Sequence, residues 1–162
     1  MTVAFSPTYR EAVAADVAAM AQCRAADPLA GPADARMAAY FSGKHHPRQA
    51  LLPRAGFVAI VDAAVIGYIA GHLTQRFDCQ GELQYLYVAP AHRRSGVARN
   101  LFGRLAAWFG EQQALRVCVN VDEDSPGARH FYVSMYATDL CPHWMEWRDI
   151  TSVPRRFIAL AR

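Results

Sequence analysis

Around residue 90 the chain reads Val88-Ala89-Pro90-Ala91-His92-Arg93-Arg94-Ser95-Gly96-Val97-Ala98-Arg99, which has the composition of an anion site. A helix starting at Gly96 would present N–H groups without intrahelical partners and the positive end of its dipole. Ser95, Gly96 and Ala98 are small enough to let a phosphate reach that backbone, and Arg93, Arg94 and Arg99 add charge. Two common phosphate loops are excluded, because the chain contains neither G-x-x-x-x-G-K-[ST] nor G-x-G-x-x-G. Other reactive types are scattered. Cys23, Cys79, Cys118 and Cys141 form no CxxC, which favours reduced thiols over disulfides or a zinc ribbon, and Cys141-Pro142-His143 alone is too little for a metal site. No metal is expected.

The elements that must position this turn follow from hydrophobic period. Apolar residues Val97, Leu101, Leu105, Trp108 and Phe109 recur at helical spacing from Gly96 to about Glu111, and their stripe is expected in the core. Glu82 to Val88, closed by Pro90, reads as a strand entering the turn, and alternation from Leu115 to Val121 reads as a parallel strand after the helix. Together they form a β-α-β unit. Upstream, Phe57 to Val61 and Val65 to Ala70 flank Asp62-Ala63-Ala64 as an antiparallel hairpin. Thr8 to Val13 could be a short strand, and Ala14 to Ala26 a helix carrying Val13, Val17, Met20 and Ala21 on one face. A short helix is expected from Ala33 to Phe41, and Pro28, Pro32, Pro47 and Pro53 make the region from Asp27 to Gly56 loop-rich. Downstream, Ser125-Pro126 opens a helix to about Met135, with Ser125 as its cap, and strands near Thr138 to Cys141 and Trp144 to Asp149 close a mixed sheet. Trp144 and Trp147 are expected to share a strand face.

Arg93-x-x-Gly96-x-Ala98 resembles the [Q/R]-x-x-G-x-[G/A] signature of the GNAT superfamily of acyl-CoA-dependent N-acetyltransferases. The likeness extends to Leu83-x-x-Leu86-x-Val88-x-Pro90 before it, to Ala128-x-x-Phe131-Tyr132 after it, and to the hairpin ending in Ile66-Gly67-Tyr68. It covers most of the chain, most strongly Phe57 to Trp147. Two positions depart from the pattern: Ser125 stands where members often carry Asn, and Tyr136-Ala137 replaces a glycine after the helix, so that helix is expected to end differently.

The resemblance implies an α/β fold with a splayed mixed sheet around the β-α-β unit, acting as one domain over residues 1–162. It further implies acetyl-CoA as cosubstrate. Leu86, Tyr87 and Val88 would offer backbone groups to the pantetheine arm, while Arg93, Arg94, Ser95, Gly96, Val97, Ala98 and Arg99 hold the pyrophosphate and Ser125 contributes a cap or a cofactor contact. An acceptor amine would attack the thioester directly, with a backbone N–H near Val88 meeting the growing negative charge. Tyr132 fills the slot of the acid that protonates the thiolate, with Tyr136 one turn later as the substitute. Glu82 is the best carboxylate for a base on the strand, beside His72, His130 and His143, which have suitable intrinsic pKa values but no evident direction. The alternative is a non-catalytic acyl-CoA-binding or sensing module.

Composition sets the bounds. The chain has 162 residues, 53% of them hydrophobic and 19% charged, enough apolar surface for a core and too little charge for wholesale disorder. A net charge of +3 suits an anionic small ligand and is too small to demand nucleic acid. Gly67, Gly71 and His72 interrupt the most apolar stretch, so no membrane span is expected, and the opening MTVAFSPTYR has no secretory pattern, which points to the cytoplasm. His45-His46 is expected in solvent. Arg155-Arg156 reads as surface tail, and Phe157 to Leu160 as a segment that could dock in a homodimer.

Overall fold

The computed structural model describes residues 5–27, 35–122 and 126–153. Ser125, Arg155, Arg156 and Phe157 to Leu160 lie outside the described residues. The strands are β1 (Thr8–Glu11), β2 (Ala50–Val61), β3 (Ala64–Thr74), β4 (Gly81–Val88), β5 (Val117–Asn120), β6 (Thr138–Cys141) and β7 (Trp144–Trp147). They form one seven-stranded sheet in the order β1-β2-β3-β4-β5-β7-β6. Only β4 and β5 run parallel, because the helix between them carries the chain back across the sheet. The helices are α1 (Val17–Ala25), α2 (Ala35–Phe41), α3 (Val97–Glu111) and α4 (Pro126–Ser134).

The β2–β3 hairpin turns on Asp62 and Ala63, whose φ of 49° and 65° match the twist of the flanking strands. Both strands run beyond the expected β-branched cores, to Ala50 and Thr74, because pairing with a neighbour overrides the turn signals of Pro53, Gly56 and Gly71.

Each face of the sheet carries its own core. On one face Leu101, Phe102, Leu105 and Phe109 of α3 pack with Leu83, Val117, Val119, Met145 and Trp147. Burying each of these large apolar side chains contributes about 1.5–3 kcal/mol. Trp108, expected among them, is only half-buried at the margin. On the other face Met20 of α1 and Met37 of α2 close over Val58, Tyr68 and Tyr87. The helix expected from Ala14 begins instead with a 3-10 turn over Ala14–Asp16, and Val13 is exposed outside its first turn rather than on its buried face. Trp144 and Trp147 do not share a face. Three residues apart on a period-two strand, they point oppositely: Trp147 is buried with Met145, whereas Trp144 lies against Phe77 and Arg76 on the other side.

The departure at Tyr136 leaves helix termination unchanged. Tyr136 itself takes the left-handed conformation, φ 72°, and the N–H groups of Ala137 and Tyr136 donate to the Tyr132 and Val133 carbonyls at 2.9 and 3.0 Å. This is the pair of bonds that glycine normally permits, made at the steric cost of a Cβ.

Candidate active site

β4 and β5 pair over Gly81 to Leu83 and Val117 to Val119; β4 then continues to Val88 without a strand partner on that side among the described residues. An irregularity in the β3 pairing falls at Gln84, between Leu83 and Tyr85, where the two strands part. Beyond it, the strand alternates. The Tyr87 carbonyl faces Gly67 of β3 and the Ala89 N–H donates to the Ile66 carbonyl at 2.8 Å, so the backbone groups of Leu86 and Val88 face the gap. Tyr87, expected to offer its backbone to a ligand, spends it on β3 instead.

The turn from Ala89 into α3 presents amides. Arg94 and Gly96 have φ of 60° and 87°, and a Cβ on Gly96 would meet nothing closer than Asn100 at 3.9 Å, so the turn is open to solvent. Gly96 caps α3 without a side-chain bond, and the first helical bond runs from the Asn100 N–H to the Gly96 carbonyl at 3.0 Å. The N–H groups of Val97, Ala98 and Arg99 therefore lack intrahelical partners. The Val97 side chain is buried in the core, so it offers backbone alone, while Ala98 is half-buried. Arg94 and Arg99 are exposed, and the Ser95 hydroxyl donates to the His92 carbonyl. This geometry fits a pyrophosphate held by main-chain donors with arginines around it.

Arg93 departs from expectation. Its Nε donates to the Val88 carbonyl at 2.8 Å and its Nη2 to Asp27 Oδ2 at 2.9 Å, so the half-exposed guanidinium is tied to protein groups. Asp27 Oδ2 also accepts from the Tyr87 hydroxyl at 2.7 Å. Burial first, then the Asp27 hydrogen bond, pushes the Tyr87 phenol well above its ordinary range.

Glu82 is 4% exposed, not a solvated strand end. Its Oε2 lies 3.2 Å from Arg76 Nε and 3.5 Å from His72 Nε2, the latter too long for a good hydrogen bond. His72 is fully buried, with its Nδ1 2.9 Å from the Tyr40 hydroxyl. Arg76 also donates to the Arg48 carbonyl at 2.7 Å and stacks over Trp144, 4.7 Å from the ring centroid. Sequence reasoning missed Tyr40 and Arg76, whose separation along the chain leaves no motif. His130 and His143 are exposed.

Tyr132 lies across the sheet from Glu82. It is 5% exposed in the α3 and α4 core, edge-on to Trp147 at 5.7 Å, and burial raises its phenol pKa well above the usual range. Its hydroxyl makes no hydrogen bond among the described residues. Tyr136 is 52% exposed. An open cleft of about 620 Å³ lined by Leu51, Leu73, Gln75, Cys79, Gln80 and Gln112 lies at the far end of α3 from Gly96.

The sequence profile of the Acetyltransferase (GNAT) family matches residues 19–135, which include the unpaired β4 edge and the amide-rich turn. The chain belongs to the GNAT acetyltransferase family. No curated protein sequence matches it. Ard1 from Thermoplasma volcanium shares 20% identity and the fold, with a TM-score of 0.69 over 90% of this chain and 98% of that one. The PaiA N-acetyltransferase from Thermoplasma acidophilum, solved with coenzyme A, matches at 15% identity and TM-score 0.61 over 88% and 97%. The ribosomal-protein-S18-alanine N-acetyltransferase from Escherichia coli matches at 13% and 0.64 over 87% and 89%. This GNAT protein therefore shares its splayed α/β sheet with acetyltransferases of widely different sequence.

Proposed function

We propose that this GNAT protein transfers an acetyl group from acetyl-CoA to a primary amine by direct attack on the thioester. The observation that carries the reading is the divergence of β4 from β5 immediately before the amide-rich N-terminus of α3. Bound there, acetyl-CoA would supply the activated acyl carbon and a thiolate leaving group. The Val97, Ala98 and Arg99 amides, with Arg94 and Arg99 beside them, would hold the pyrophosphate. Leu86 and the Val88 N–H would pair with the pantetheine arm, and an N–H of that edge would donate to the carbonyl oxygen as charge grows on it.

Glu82 would take the proton from the incoming amine, directly or through water, with Arg76 fixing its carboxylate. Tyr132 would return a proton to the sulfur. Its burial keeps the phenol protonated at neutral pH and makes it a weaker acid than tyrosine in water, so transfer requires a thiolate that is itself poorly solvated. All four cysteines are free thiols, which supports a reducing, cytoplasmic setting.

The test is a thiol-release assay over an amine panel, followed by single-turnover rates for Tyr132→Phe. Turnover with any amine establishes the transferase, whereas CoA binding without turnover leaves the binding module. Removal of the hydroxyl should slow the chemical step by about 10²–10⁴-fold with CoA affinity retained. A rate within about twofold of the parent, roughly 0.4 kcal/mol of barrier, would make Tyr132 a packing residue.

A further inference from the structure

The first residue of the loop-rich region is joined to the cofactor turn by a contact that the GNAT signature does not contain. Asp27 follows α1, its side chain is 2% exposed, and it meets a guanidinium from a residue sixty-six positions later. That guanidinium has three anchors: the Asp27 carboxylate, the Val88 carbonyl, and the Tyr87 ring, whose centroid lies 5.6 Å from it. Tyr87 completes the figure through its own bond to Asp27. Val88 is the last residue of β4, and its backbone faces the gap.

We propose that Asp27 is a positioning residue for cofactor binding: it holds Arg93 against the Val88 carbonyl and so fixes how β4 enters the amide-rich turn. Two physical points support this. A carboxylate buried beside its guanidinium is costly to strip of that partner, so the contact resists exchange far better than a surface ion pair. And because Arg93 occupies the Val88 carbonyl, the open edge of β4 ends at the Val88 N–H, which sets the position at which a pantetheine amide can pair. Arg93 then acts through geometry, leaving the direct charge to Arg94 and Arg99.

The proposal rests on the CoA reading above, and calorimetry with CoA separates the two. Asp27→Asn keeps the size and an oxygen for Tyr87 but removes the charge; Arg93→Lys keeps the charge but cannot span Val88 and Asp27 together. Each should raise the CoA Kd about tenfold and the KM for acetyl-CoA more than it lowers kcat, and the double variant should be no worse than either single one. If Asp27→Asn does not fold, the half-exposed Arg93→Lys decides alone. A folded Asp27→Asn, or an Arg93→Lys, that binds CoA within about twofold of the parent overturns the proposal. Losses that multiply in the double variant overturn it too, because Arg93 would then meet the phosphates itself. A parent protein that does not bind CoA overturns this proposal and the CoA reading together.

Discussion

The turn proposed to hold the cofactor and the Glu82 cluster are built by opposite means. The turn draws on consecutive residues, Ala89 to Arg99, and its functional groups are backbone amides exposed by positive φ at Arg94 and Gly96. The Glu82 cluster draws on Tyr40, His72, Arg76 and Glu82, brought together from α2, β3, β4 and the loop between β3 and β4, and its polar groups are side chains, all buried except the partly buried Arg76. A backbone site tolerates most side-chain changes that spare its conformation, whereas a buried polar cluster depends on each member for the satisfaction of the others.

Glu82→Gln should break the comparison most severely on the side-chain half. Single-turnover rates should fall by about 10²–10⁴-fold with CoA affinity within a few fold, and a rate near that of the parent would transfer the base role elsewhere. On the backbone half, Gly96→Glu should weaken CoA binding by at least about 100-fold, since it sets a carboxylate among the phosphate donors. It should also cost about 1–2 kcal/mol of stability, because φ at Gly96 is 87°, so calorimetry is paired with urea denaturation. Arg94→Ala, by contrast, should raise the CoA Kd only several fold, as one exposed charge contributes about 1 kcal/mol or less. Equal losses in these two variants would contradict a site built chiefly from backbone.

The buried tyrosines add a pH dependence of stability. Burial is the leading cause that raises the phenols of Tyr40, Tyr68, Tyr87 and Tyr132 above the ordinary 10.0. A raised folded-state pKa means that their contribution to stability is complete below pH 10 and is lost as pH climbs through the folded values. Urea midpoints should hold from pH 8 to about 10 on this account and fall beyond it, and Tyr132→Phe should flatten the fall. An identical alkaline limb in that variant would show that Tyr132 does not contribute to it. The smallest effect is expected at Tyr136→Gly, which should stabilise the protein by up to about 1 kcal/mol by relieving the left-handed φ. A loss of stability there would mean that the exposed ring makes the larger contribution.

Local chemistry written in consecutive residues could be read from the sequence: the helix from Gly96, its buried stripe at Leu101, Leu105 and Phe109, the strand into Val88, and the small residues that expose the turn. Hydrophobic period and capping act over a few residues, so they need no partner to be recognised. The shared face expected for Trp144 and Trp147 contradicted the period-two rule itself, which sets residues three apart on opposite faces, whereas the ends of β2 and β3 lay beyond local reading because pairing extends them past turn signals. Only the tertiary structure decided that Tyr87 turns its backbone to β3 and that Arg93 pairs with Asp27 and the Val88 carbonyl. It also decided that Asp27, Tyr40 and Arg76 belong beside residues far along the chain. The physical reason is that burial and ion pairing act between groups brought together by the sheet, and no period or spacing in one segment records which distant group will satisfy it.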